Sequence, residues 1–237
     1  MDYLSQRLQA VADLIKVGES MADIGSDHAY LPIYLVGKGL IPWAIASELG
    51  DGPYERTLDA VRLSALQDYI EVRQGDGLQT IGINEVATVV IAGLGGDSIV
   101  TILANDWVKT SSYKQFVFQP MSRASVLRKT LADRGWPIVD EKLLWDNNRY
   151  VLIIVSQPGN QPYSLDPLEI EIGPEILRAD NSLKRGYLFK FVEKYSKVYE
   201  QLKNSPQVDQ QLLATSYRDK LERLELILNA SQSSECQ

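Results

Sequence analysis

Residues 21–32 read Met-Ala-Asp-Ile-Gly-Ser-Asp-His-Ala-Tyr-Leu-Pro: an apolar run carrying Asp23 ends at Gly25, and the polar turn Ser26, Asp27, His28 leads into a second apolar stretch. A strand entering such a turn before a helix presents backbone amides at the carboxyl edge of a sheet, where open α/β folds bind ligands. The turn is not the dinucleotide fingerprint, because Asp27 and Ala29 fill its second and third glycine positions. Asp27 also sets a negative charge where a pyrophosphate would approach a helix N-terminus, which favours a nucleoside ligand without phosphate. S-adenosylmethionine has that chemistry: an amino-acid tail, a sulfonium and a ribose. The alternative is that Asp23 and Gly25 only shape a turn.

Three further strand ends carry matching chemistry. Glu48 follows the second apolar run and can accept bonds from both ribose hydroxyls, although a glutamate at a strand end is common. Gly75, Asp76 and Gly77 follow the third; Asp76 can receive an adenine amino group, or the trio is only a tight turn. Gly93, Leu94, Gly95 and Gly96 follow the fourth, removing side chains where a methyl donor and its acceptor must meet. The order of the four sites carries more weight than any one of them.

Elements that would position these residues alternate along the chain. Short apolar runs at 20–24, 43–46, 69–72, 86–92 and 115–118 predict strands, and 30–38, 54–66, 97–103 and 122–134 predict helices between them. A leading amphipathic helix is expected within 4–15. Alternation of this kind implies parallel strands joined by right-handed crossovers. Runs at 138–143 and 149–155, separated by Trp145, Asp146, Asn147 and Asn148, read as an antiparallel hairpin. Five parallel strands followed by a hairpin is the strand sequence of the class I methyltransferase fold, a Rossmann-like, doubly wound sheet. A dehydrogenase domain shares only its first half.

The Pro- and Gly-containing stretch 157–174 reads as a linker, with 165–172 packed on the body, which divides the chain into 1–160 and a helical unit at 161–237. There Leu188, Phe191, Tyr195, Val198 and Leu202, then Tyr217, Leu221, Leu224 and Leu228, recur at three- and four-residue spacing, as in a coiled-coil hairpin. Residues 181–203 hold six lysines and arginines against two glutamates, a basic arm on a chain of net charge −7. That overall charge disfavours simple electrostatic attraction to nucleic acid, whereas the arm is compatible with RNA. The only cysteine, Cys236, has no partner for an internal disulfide, and no apolar run reaches the roughly 20 residues that span a bilayer. A cytoplasmic location without membrane contact is expected.

Residues 23–32, 75–77 and 92–96, with Gln119 and Pro120, resemble the bacterial tRNA (adenine-N1)-methyltransferase family that modifies adenine 22, known as TrmK. The likeness covers about residues 4–155; the family commonly has methionine where this chain has Leu94, a change conservative in size. The resemblance implies S-adenosylmethionine as donor, tRNA as substrate and a coiled-coil-like C-terminal domain.

Neutral adenine N1 is already nucleophilic, so its methylation needs alignment more than base catalysis. Positive charge then develops on the ring, and Asp27 is the first candidate to stabilise it. Because N1 lies on the pairing edge, the base must leave its stack at a cost of a few kcal/mol. Stacking on Tyr30 or Tyr150, worth about 1–3 kcal/mol, would offset this, unless both are rim or core tyrosines. His28, the only histidine, either orients the base or Asp27 or makes a structural hydrogen bond, and a lone histidine argues against a metal site. Gln119 either bonds the target base or caps the fifth strand. Arg123, Arg128, Lys129 and Arg134 either hold RNA or form a charged solvent face. Two rival functions stay open: methyl transfer to another RNA or a small molecule, and a non-catalytic S-adenosylmethionine-binding module that holds RNA or protein.

Overall fold

The structure is a computed structural model that describes residues 3–234; Cys236 lies outside the described residues. Seven strands, β1 (Met21–Ile24), β2 (Ala44–Glu48), β3 (Ile70–Gln74), β4 (Thr88–Gly95), β5 (Gln115–Ser122), β6 (Ile138–Asp146) and β7 (Arg149–Ser156), form one sheet in the order β3-β2-β1-β4-β5-β7-β6. The first five are parallel, and β7 inserts antiparallel between β5 and β6. Every residue of β1 and β2 is buried, as expected for short apolar strands covered on both faces. At the edge, β3 alternates with Glu71 and Arg73, and such charges discourage edge-to-edge pairing. The β6–β7 hairpin turns through Asn147 (φ 47°) and Asn148 (φ 60°), a left-handed pair that asparagine tolerates well.

Helices α1 (Gln6–Ala12), α2 (Tyr30–Gly37), α3 (Asp51–Leu63), α4 (Gly96–Ala104), α5 (Trp107–Thr110) and α6 (Ala124–Asp133) cover the sheet. Val11, Leu31, Leu35 and Val61 belong to one core layer; Ile99, Leu103, Leu127, Leu131 and Trp136 belong to the other. The sheet departs from expectation at its functional edge. β4 and β5 continue past residues 92 and 118, because pairing persists to Gly95↔Ser122 through two register shifts. Cross-strand pairing thus overrides the weak strand propensity of the glycines.

The expected linker is built into the molecule. It holds α7 (Pro167–Glu171), started by a capping box between Asp166 and Glu169, and α8 (Pro174–Arg178). Leu168, Ile172 and Ile176 are buried with Leu143 of β6. Helices α9 (Lys184–Leu202) and α10 (Val208–Ser234) complete this third cluster with Leu188, Tyr195, Leu224 and Leu228, and Phe191, Tyr217 and Leu221 pack against it; of the expected seam, Val198 and Leu202 do not join the cluster.

Arg128 is on no solvent face. Its side chain and that of Glu141 are both fully buried; Arg128 Nε donates to Glu141 Oε1 over 2.6 Å, and Nη1 donates to the carbonyls of Ile170 and Glu171 at 3.2 Å. Glu141 Oε2 accepts the Glu175 N–H at 3.0 Å. Burial raises the Glu141 pKa above its ordinary value despite the adjacent guanidinium. Among the described residues no helix is long and apolar enough to cross a membrane, and no group of three or more His, Cys, Asp or Glu side chains could hold a metal ion.

Candidate active site

The chemistry-bearing turns lie in sheet order at the carboxyl ends of β3, β2, β1 and β4, and the strand order reverses between β1 and β4, the position at which such sheets bind ligands. At its centre Asp23 is buried and accepts a 2.6 Å hydrogen bond from the Ser26 hydroxyl. Burial pushes its pKa up to about 6; the Ser26 bond opposes this, the Glu48 carboxylate adds to it and the Arg7 guanidinium opposes it.

After Gly25 the backbone passes through three left-handed non-glycine residues, Asp27 (φ 39°), His28 (φ 76°) and Ala29 (φ 51°). Strain of this kind costs on the order of 1–3 kcal/mol per residue and needs external fixation. Glu48 Oε1 accepts the Asp27 N–H and, at 3.2 Å, the hydroxyl of Thr57; Thr57 Oγ1 accepts the His28 N–H at 3.0 Å. Thr57 is fully buried on α3. A threonine among helical polar positions gives no sequence signal for this role. Thr57→Val is expected to speed hydrogen exchange of the His28 amide about tenfold, the equivalent of one lost buried bond, whereas Thr57→Ser should not. Equal exchange in the two variants would remove Thr57 as the clamp.

The Asp27 carboxylate itself is open to solvent, with 67% of its side chain exposed; Arg56 Nη2 lies 3.2 Å and His28 Nε2 3.8 Å from its Oδ1. The His28 and Tyr30 rings stack with centroids 5.2 Å apart and planes 10° from parallel, and Tyr30 is 37% exposed. Together they make a short aromatic stack, with the His28 ring beside the carboxylate. Tyr150 belongs to the third cluster instead, packed on Trp145 and Tyr187 with Lys190 Nζ 4.7 Å from its ring centre.

Gln119 is buried inside β5, not at its end: Oε1 accepts from Arg7 Nη1 at 2.8 Å, and Nε2 donates weakly to the Pro120 carbonyl at 3.4 Å. Arg7, from α1, thus reaches the same edge and acts on both Gln119 and Asp23. Only the fold reveals it, since 112 residues separate Arg7 from Gln119. Asp76 is exposed after β3, with buried Gly77 starting the 3-10 turn behind it. In the glycine motif, Gly93 (φ 82°) supplies a conformation other residues resist, while Leu94 and Gly95 remain paired to β5. Gly96 has a packing reason: a Cβ there would collide with the backbone carbonyl of Arg123. Arg123 Nε pairs with Asp97 at 3.1 Å, Lys129 pairs with Asp133, and Arg134 lies over Trp107.

The model of the family described as "Methyltransferase domain" matches residues 4–154, which contain all these turns. The tRNA (adenine(22)-N(1))-methyltransferase of Bacillus subtilis (strain 168) is 32% identical, over 94% of this chain and 95% of that protein. The crystal structure of the B. subtilis M1A22 tRNA methyltransferase TrmK superposes with a TM-score of 0.85 at 31% identity, over 96% of this chain and all of that one. M. capricolum TrmK, in complex with S-adenosyl-homocysteine, gives a TM-score of 0.78 at 27% identity, over 95% of this chain and 98% of that one. Fold, strand-end chemistry and near-complete mutual coverage agree: the chain belongs to the methyltransferase-domain proteins and, within them, to the tRNA (adenine(22)-N(1))-methyltransferase family.

Proposed function

We propose that this protein transfers the methyl group of S-adenosylmethionine to N1 of adenine 22 in tRNA. The observation that carries the reading is the match along nearly the whole chain, helical C-terminal part included, to a tRNA (adenine(22)-N(1))-methyltransferase; the turns at the carboxyl ends of β3, β2, β1 and β4 support it with chemistry suited to a nucleoside donor. On this reading the enzyme works in the cytoplasm, together with its tRNA substrate. Incubating the protein with methyl-labelled donor and an unmodified tRNA transcript, then mapping the modified nucleoside, tests it. Label in any nucleoside other than 1-methyladenosine, or none, would remove the assignment.

The donor set fits S-adenosylmethionine. Asp23, buried with its pKa raised, gains from an approaching ammonium group. No described residue donates to Glu48 Oε2, which leaves it for ribose hydroxyls, and exposed Asp76 can accept from an adenine amino group. When bound, the cofactor supplies an electrophilic methyl group on a sulfonium sulfur. The chain's part is alignment: an outer face of the His28–Tyr30 stack takes the extruded base, and Asp27 beside His28 faces the positive charge that grows on the ring. Arg56 offsets part of that carboxylate charge, and the solvent around Asp27 screens the rest until the substrate covers the site.

Asp27→Ala and Asp27→Asn are therefore expected to slow single-turnover methyl transfer about 100-fold, with donor and tRNA affinity nearly unchanged. Rates within about threefold of wild type for both variants, under 1 kcal/mol of barrier, would leave Asp27 a structural member of the turn.

A further inference from the structure

Beyond the donor edge, a cavity of about 370 Å³ opens between the β5–α6 turn, residues 120–125, and helix α9. We propose that it receives a nucleotide adjacent to the target adenine, an inference that rests on the reading of the chain as a tRNA methyltransferase. No residue of the 23–28 or 75–77 turns lines it, so it is distinct from the donor site. Its volume lies near the lower end of small-molecule sites, about 300–1,000 Å³, which suits one nucleoside.

Position argues first. Ser122 pairs directly with Gly95, Gly96 packs against the Arg123 carbonyl, and Pro120 follows Gln119, so the cavity wall is continuous with the turn where donor and acceptor meet. RNA that delivers an extruded base to that turn must lay a neighbouring nucleotide beside it. Extrusion also deprives those neighbours of a stacking partner, and an aromatic wall restores one.

Lining chemistry argues second. Tyr150, Tyr187 and Phe191 form a continuous ring array with successive centroids 5.2 Å apart. Tyr187 is buried as core, but Tyr150 and Phe191 are only partly covered, and Met121 at the wall is 43% exposed. Arg123 and Lys194 place cations on the same wall, where a phosphate linked to a stacked base would lie; Lys194 Nζ is 3.1 Å from Glu171 and 5.8 Å from the Phe191 ring centre. Packing between the sheet and α9 explains the Tyr187 ring, but not half-open aromatic faces beside exposed cations.

The test couples a protein change to an RNA change. Phe191→Leu keeps an apolar side chain in the third cluster but removes the ring, and Met121→Ser alters a side chain that is 43% exposed and whose sulfur has one long contact, 3.5 Å from Gln119 Nε2. Each is assayed with unmodified tRNA and with transcripts abasic at the nucleotide 5′ or 3′ of the target adenine. For Phe191→Leu on intact tRNA, KM is expected to rise about tenfold, with the saturated single-turnover rate and donor affinity within twofold of wild type. One of the abasic transcripts should cost the wild type a similar factor and cost the variant almost nothing further; Met121→Ser should show the same coupling more weakly. If Phe191→Leu lowers the unfolding temperature, Met121→Ser decides alone. Unchanged KM, or losses that multiply independently for both flanking positions, would overturn the proposal and leave the cavity a packing seam. Failure of the wild type to methylate intact tRNA would instead strike the functional reading beneath it.

Discussion

Replacing Arg128 with methionine is expected to destabilise the folded chain by about 3–5 kcal/mol, because it leaves the fully buried Glu141 carboxylate without a counter-charge. The same change deprives the Ile170 and Glu171 carbonyls of their donor, so the damage should spread to the α7–α8 segment that docks the C-terminal helices. Urea unfolding followed by circular dichroism measures it. Replacing a buried ion pair by neutral groups often costs little, because desolvation offsets most of the attraction, and burial already raises the Glu141 pKa. Arg128→Met combined with Glu141→Gln should then recover much of the loss, since glutamine keeps an acceptor for the Glu175 N–H without a charge. A double variant as unstable as the single one would show the pair to be stabilising in its own right.

Asp23→Asn should separate stability from function. The carboxyl has a folded pKa of about 6 against 3.8 in an unfolded chain, so the folded state binds its proton more tightly. Stability therefore falls as pH rises from about 4 to about 6, and the full penalty, on the order of 3 kcal/mol, is present at neutral pH. Asparagine removes that penalty, so the unliganded variant should unfold at higher urea than wild type at pH 7.5 and show little difference near pH 4. Donor binding should move the other way. Wild-type affinity for S-adenosylmethionine is expected to weaken as pH falls through 6, and the variant should bind about 10- to 100-fold more weakly with that pH dependence flattened. Calorimetry between pH 5 and 8 reads both. Wild-type affinity in the variant would remove Asp23 from the donor site.

Much of the architecture was legible because its signals are local. The apolar runs of β1 and β2, the Asn147–Asn148 turn and the seam through Leu188, Tyr195 and Leu224 each depend on neighbours within a few residues. The strand-end positions were legible for the same reason, since Asp23 lies within, Glu48 ends and Asp76 follows a recognisable strand. What the sequence hid depends on contacts across the chain. Arg7 meets Gln119, Thr57 clamps the His28 turn, and Arg128 sits under α7 instead of on a charged surface. Asp27 shows a subtler gap: its place in the motif was plain, but not that Arg56 would share its charge in an open, wet turn.

The central claim concerns one atom, the N1 of adenine 22, and the most direct measurement exchanges it. A tRNA transcript with 1-deazaadenosine at position 22 keeps the ring, the stacking faces and the exocyclic amine, but has C–H in place of the nucleophilic nitrogen. The unmodified transcript is expected to take up methyl label stoichiometrically, and the 1-deaza transcript to compete for the enzyme while taking up none. Label entering the 1-deaza transcript at the unmodified rate would contradict methyl transfer to N1 of that base.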